Sequence, residues 1–280
     1  MAKRCFIIPL ATLMMLSFNA FLVEKLCAKD KKPTAEEVIA KHLESIGSPE
    51  KLAAVKSRTI YGVVAVKMPL GTVPEILPEP GTRKDPSNFL FASTESSMGM
   101  LMKFYNGTYT GEQLAYDGKD ATIGYTQNGK RSPFADFVAR YDGIMREGFL
   151  GGTLSTSWPL LHIQDGKYGL KYDQVESGGK KFHRITCTPK DKKHFHELVV
   201  RLYFEFETYR HVITEYVQIT SDSVWIAFLE GFGNFKAVDG LMLPHSYSPQ
   251  ATSVTGYHWN IEVKQISHNE PIDPQLFRAK

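Results

Sequence analysis

The stretch Leu198 to Phe206, LVVRLYFEF, puts Leu198, Val200, Leu202, Phe204 and Phe206 on one face of an extended strand. Val199, Arg201, Tyr203 and Glu205 fall on the other face, because successive strand side chains point to opposite sides. One face is wholly apolar and the other largely polar, so the strand belongs to an antiparallel sheet covered on one side. The rest of the chain has to supply more strands and the cover.

Strands come in number. Ile60, Gly62, Val64, Val66 and Met68 alternate with Tyr61, Val63, Ala65 and Lys67, and Met98, Met100, Met102 and Phe104 share a face. Tyr257, Trp259, Ile261 and Val263 alternate with His258, Asn260, Glu262 and Lys264, and further strands are expected around 182–188, 211–220, 224–229 and 241–247. Asn106-Gly107, Asp117-Gly118, Asn128-Gly129, Asp165-Gly166, Gly178-Gly179 and Asp239-Gly240 punctuate them. Such dipeptides accept positive φ at both central turn positions, which suits tight hairpins and a meander of short strands. The five prolines between Pro69 and Asn88 make that segment a loop or edge excursion.

Helical spacing supplies the cover. Thr34 to Ile46 reads as an amphipathic helix with Thr34 as N-cap and Glu37 completing a capping box, and Gly47 stops it. Ser48-Pro49 starts a short second helix ending at Val55. Ser132-Pro133 opens a longer one, in which Phe134, Phe137, Val138, Tyr141, Met145 and Phe149 recur at helical spacing up to Gly151-Gly152. This inserted helix, Pro133 to Leu150, has too much apolar surface to face water and must lie across the sheet. Thr153 to Leu161 continues apolar and is expected to tuck in beside it.

Residues 1–28 have the pattern of a secretory signal: Lys3 and Arg4, then an uncharged apolar run from Phe6 to Val23, then a small residue at Ala28. Cleavage there predicts an exported, periplasmic protein with a single mature domain, 29–280. The alternative is an uncleaved anchor, against which Pro9 and Asn19 argue. Loss of the leader takes Lys3, Arg4, Lys25 and Glu24 from the 33 basic and 30 acidic residues, leaving 30 and 29. A nearly neutral chain offers no electrostatic footprint for nucleic acid, so no nucleic-acid partner is expected. Cys187 is then the one remaining cysteine, which excludes an intrachain disulfide.

Catalytic signatures are missing from the sequence. It has no G-x-S-x-G elbow, phosphate-binding loop, H-E-x-x-H or C-x-x-C. His194 and His196 are flanked by Lys190, Lys192 and Lys193, which would repel a cation, so a solvated hairpin end is expected. His183 and Cys187 lie four residues apart on one strand face, too far for a hydrogen-bonded dyad, and a buried cysteine is the simpler reading. His42 is read as a half-buried core histidine. No enzyme activity, metal or cofactor is expected.

Two C-terminal runs carry a family likeness. Phe232 to His245, FGNFKAVDGLMLPH, and Trp259 to Phe277, WNIEVKQISHNEPIDPQLF, resemble the V-D-G-L-x-L-P strand pair and the closing I-x-x-N-x-x-I-x-x-x-x-F of LolA/LolB-like outer-membrane lipoprotein-sorting proteins. The resemblance spans about 34–280, with the specific motifs at the C-terminal end. It implies an α+β fold in which a curved antiparallel sheet forms an incomplete β-barrel, its concave face covered by the N-terminal helix and the inserted helix. It also implies a monomeric periplasmic carrier of lipid or lipoprotein acyl chains, with envelope membrane proteins as further partners. A lipobox is absent and the proline-rich segment departs from the family. The residues expected to wall an apolar cavity are Val64, Val66, Phe137, Tyr141, Met145, Leu202, Phe204 and Trp259. An alternative reading on the same fold is a non-catalytic envelope-stress sensor or scaffold acting through a sheet edge or the proline-rich loop.

Overall fold

The computed structural model describes residues 32–67, 88–106, 109–125, 130–252 and 256–278. The expected signal segment, most of the proline-rich segment and the Asn128-Gly129 turn lie outside them. Among the described residues there are twelve strands: β1 (Ser57–Lys67), β2 (Asn88–Thr94), β3 (Met98–Asn106), β4 (Tyr109–Tyr116), β5 (Ala121–Ile123), β6 (Tyr168–Ser177), β7 (Lys180–Pro189), β8 (Leu198–Glu205), β9 (His211–Ile219), β10 (Val224–Val238), β11 (Leu241–Ala251) and β12 (His258–His268). They form one sheet in the order β5-β4-β3-β2-β1-β12-β11-β10-β9-β8-β7-β6, with antiparallel neighbours.

That order dictates where the helices go. The chain starts mid-sheet, zigzags out to one edge at β5, reappears at the opposite edge at β6 and zigzags back until β12 lies beside β1. The segment joining β5 to β6 therefore has to cross the whole sheet. The two edges do not pair, which leaves an open, incomplete barrel.

Hairpin turns follow their dipeptides. Gly178 and Gly179 (φ 56 and 73°) link β6 to β7, and Asp239 and Gly240 (φ 51 and 78°) link β10 to β11. Helices α1 (Ala35–Ile46) and α2 (Pro49–Ala54) precede β1, and the Ser48 hydroxyl caps α2 at Lys51 N. Val38 and Ile39 of α1 pack in a single apolar cluster with the crossing segment and with Val64, Met98, Met100, Leu202, Phe204 and Trp259 of the sheet.

Three local expectations change. The face of β8 opposite its apolar side is not largely wet: Val199 and Tyr203 are also buried, Tyr203 by its hydrogen bond to Glu215 and its ring contact with Phe182. The inserted helix is broken. It runs as α3 (Pro133–Arg140), leaves helical geometry at Tyr141, and resumes only as α4 (Gly143–Arg146) before two 3-10 turns, Gly152–Leu154 and Pro159–Asp165. Two glycines of this segment sit at close approaches: a Cβ on Gly143 would stand 2.5 Å from the Phe195 ring and one on Gly148 (φ 73°) would stand 2.0 Å from the Ser157 carbonyl oxygen. Lastly, 194–196 do lie at a hairpin end, the connection from β7 to β8, but it is wound into a helical turn, α5 (Lys192–Phe195), and is not wholly solvated, since Phe195 is buried under Gly143.

Candidate functional site

Two buried ionisable side chains, Arg58 and Glu230, hold the crossing segment to the sheet. Arg58 of β1 donates from Nη1 to the Thr153 and Leu154 carbonyls at 2.8 and 3.0 Å, and from Nε to His268 Nε2 at 3.1 Å. His268 Nδ1 then lies 2.8 Å from Asp239 Oδ2, so a single tautomer, protonated on Nδ1, satisfies both contacts. No described carboxylate pairs with Arg58, and burial pulls its guanidinium down to about 10. Glu230 of β10 grips the same segment from the other side. It accepts from Gly151 N at 2.9 Å and Tyr247 OH at 2.5 Å on Oε1, and from Tyr216 OH at 2.6 Å on Oε2. Burial lifts the carboxyl to about 7 against the pull of those three donors.

Trp158 joins the segment to α1. Its indole Nε1 donates to His42 Nε2 at 3.2 Å, while His42 Nδ1 donates to the Tyr209 carbonyl at 3.0 Å. His42 is fully buried, not half-buried, and burial takes it down to about 4. His211 stacks on Trp158 with ring centroids 4.9 Å apart, and burial holds it well below its ordinary value.

These shifts predict a pH profile. Glu230 is raised from 4.5 to about 7, so its contribution to stability is complete below pH 4.5 and is lost as pH rises toward 7. His42 is lowered from 6.5 to about 4, so its contribution is complete above pH 6.5 and is lost on acidification. The two nearly cancel, and His211 leaves a net loss in acid. Glu230→Gln removes the compensating proton. The variant is expected to lose stability between pH 6.5 and 4.5 more steeply than the wild type, by about 1.4 kcal/mol per pH unit. Parallel denaturation profiles would show that Glu230 does not titrate in this window.

An open apolar groove of about 500 Å³ lies beside the clamp. Ala40 and Leu43 of α1, Pro49, Leu52 and Ala53 of α2, Val55, and Leu161 of the second 3-10 turn wall it, with Glu44, Lys56, Glu95 and His162 among its polar members. Leu52, Val55, Thr156 and Leu161 also wall a small inner void of about 30 Å³, which reaches Arg58, Thr153 and Trp158. The groove thus leads inward to the place where the crossing segment is clamped.

All eight residues expected to wall a cavity fall in the one apolar cluster. Val64, Val66, Leu202, Phe204 and Trp259 come from the sheet, Phe137, Tyr141 and Met145 from the crossing segment, and every one is buried. Floor and roof meet: Phe134 packs on Trp259 with centroids 5.3 Å apart, and Phe137 stacks on Phe228 at 4.9 Å. None of the eight lines the groove at α1 and α2, while Phe137 and Tyr141 border a second opening of about 840 Å³ between α3 and the β9–β10 hairpin. Cys187 is buried with its thiol pushed up to about 12, and His183 turns to Tyr172 OH at 2.9 Å.

Arg58, Glu230, Trp158 and the groove residues do not emerge from the motif search. A signal exists for Glu230: it stands two residues from Phe228 and two from Phe232, on the apolar side of its strand. A carboxylate in that register needs partners, which here are Tyr216 and Tyr247.

No family model matches the chain, and no curated protein matches it. Among solved structures, a LolA superfamily protein from Nitrosomonas europaea is similar over 87% of this chain and 97% of its own, with 12% identity and a TM-score of 0.51. A DUF1329 family protein from Desulfovibrio piger matches with 8% identity over 88% and 98% and a TM-score of 0.47. An outer membrane lipoprotein-sorting protein domain from Vibrio parahaemolyticus matches with 12% identity over 85% and 97% and a TM-score of 0.45. At such identity the first of these shows the fold alone: an incomplete antiparallel barrel like that of the Nitrosomonas protein.

Proposed function

We propose that this chain of LolA superfamily fold is a non-catalytic binding protein for the acyl chains of lipids or lipoproteins, exported to the cell envelope as a monomer whose mature module spans 29–280. The observation that carries the reading is the groove of about 500 Å³ walled by Leu43, Leu52, Val55 and Leu161, inside the range of roughly 300–1,000 Å³ that ligand sites occupy. Burying a chain there is worth roughly 0.8 kcal/mol per CH₂, so affinity needs few polar contacts. The eight interior residues form the deeper wall, reached past Trp158 when the crossing segment lifts.

Protein stripped of lipid by denaturation and refolding is expected to bind a fluorescent long-chain fatty acid and to gain thermal stability from it. Leu161 is only partly buried, so Leu161→Arg should fold while weakening binding about tenfold or more, because it places a charge in an apolar groove. Refolded protein that takes up no long-chain ligand, or a Leu161→Arg variant that binds like the wild type, overturns the assignment.

A further inference from the structure

Among the described residues, five large apolar side chains are exposed: Tyr61, Tyr125, Ile219, Val224 and Trp225. Three of them sit together at the tip of the β9–β10 hairpin. Ile219 and Val224 face each other on the last rung of the β9–β10 hairpin, and Trp225 follows opposite Gln218. The Arg131 guanidinium lies over the Tyr125 ring at 4.9 Å. Arg131 and Trp225 in turn wall the opening of about 840 Å³, together with Arg140, Asp136 and Gln218. Neither Arg131 nor Arg140 forms an ion pair with a described carboxylate.

Single exposed apolar residues are ordinary on a protein surface, but a cluster flanked by cations is not. Tryptophan and tyrosine suit the boundary between water and hydrocarbon, having a large apolar body and one polar atom. Guanidinium groups suit the phosphates just outside that boundary. We propose that the β9–β10 hairpin tip docks on an anionic phospholipid bilayer, with Val224, Trp225 and Ile219 entering the headgroup region and Arg131 and Arg140 contacting lipid phosphates. Around the opening Arg131 and Arg140 exceed Asp136 by one charge, and Asp222 in the hairpin turn opposes this attraction. The polar turn, Thr220 to Ser223, keeps the docking shallow. The surface shares no residue with the groove at α1 and α2, so the two assignments fail separately.

Trp225 is 43% exposed whereas Trp158 and Trp259 are buried, which makes tryptophan emission a direct probe of this edge. Vesicles of mixed phosphatidylcholine and phosphatidylglycerol are expected to shift the emission of the full chain to the blue and to sediment it. Val224→Ser and Trp225→Ser should each weaken vesicle binding about tenfold, the scale of one apolar side chain returned to water. The pair Arg131→Gln with Arg140→Gln should cut the preference for phosphatidylglycerol over pure phosphatidylcholine about thirtyfold. Leu161→Arg should dock as the wild type does. No shift and no sedimentation with either vesicle overturns the proposal, as does unchanged binding in the Val224→Ser, Trp225→Ser double variant. So does loss of docking in Leu161→Arg, which would trace the vesicle signal to lipid captured in the groove.

Discussion

Glu230→Ala is expected to lower the unfolding free energy by about 4 kcal/mol, because it strands three buried donors at once. Gly151 N, Tyr216 OH and Tyr247 OH all converge on this carboxylate. A buried donor left without a partner costs about 1–3 kcal/mol, and relief of the buried carboxylate's desolvation returns part of the sum. For a chain of this size the melting temperature should drop by roughly 10 °C. Glu230→Gln keeps an acceptor oxygen for two of the donors and offers its amide to a tyrosine oxygen, so it should cost no more than about 2 kcal/mol. The ordering of the two variants separates lost hydrogen bonds from lost charge. Native-state hydrogen exchange should also show the Gly151 amide losing protection in Glu230→Ala well before the amides of β8. An alanine variant within about 1 kcal/mol of wild type would mean that water replaces the carboxylate and that the clamp is not held from this side.

What the sequence discloses and what it hides follow from the range of the interactions. Period-two alternation in β1, β3 and β12 and the paired turn residues at 178–179 and 239–240 act locally, and the structure carries them as read, whereas β8 is a strand as read but buried on both faces. The strand β6 is less legible because it is an edge: Tyr168, Leu170 and Tyr172 alternate for two periods and then the pattern dissolves into polar residues. Apolar spacing from Phe134 to Phe149 suggests one continuous helix, yet Gly143 and Gly148 are there for close approach to Phe195 and Ser157, contacts that no spacing rule contains. The eight wall residues are recognisable in the sequence as apolar and inward-facing, and they do assemble into one cluster. Whether such a cluster encloses space depends on how facing side chains fill it, a property of pairs such as Phe137 with Phe228 that lie far apart in the chain. Phe137 and Tyr141 alone of the eight border an opening, and the apolar groove lies where α1 and α2 meet the second 3-10 turn, a junction of three segments that only the β5-to-β6 crossing brings together.

That junction makes Trp158 the residue whose removal should change both stability and binding. Its side chain is 1% exposed, donates to His42, stacks on His211 and meets Phe149 edge-on at 6.4 Å. Trp158→Ala should cost about 4 kcal/mol, the scale of a large aromatic deleted from a packed core that collapses only in part. The indole also borders the inner void of about 30 Å³, so its loss should join that void to a larger one open toward the groove through the shared walls Leu52, Val55 and Leu161. Ile46, Leu52, Val55, Leu161 and Leu241 give this space apolar walls beside the polar Arg58, Thr153, Ser155 and Thr156, so an entering acyl chain packs on the former and displaces water from the latter. The variant should therefore regain stability on adding a long-chain fatty acid, by about 2.7 kcal/mol at a hundredfold excess over Kd. Its preference should also move toward longer chains, up to about 0.8 kcal/mol for each further CH₂ that enters the new space. Calorimetric titration with a series of chain lengths decides the matter. If Trp158→Ala is destabilised but its chain-length preference matches that of the wild type, the groove ends at the inner void, and the eight interior residues are core and not ligand wall.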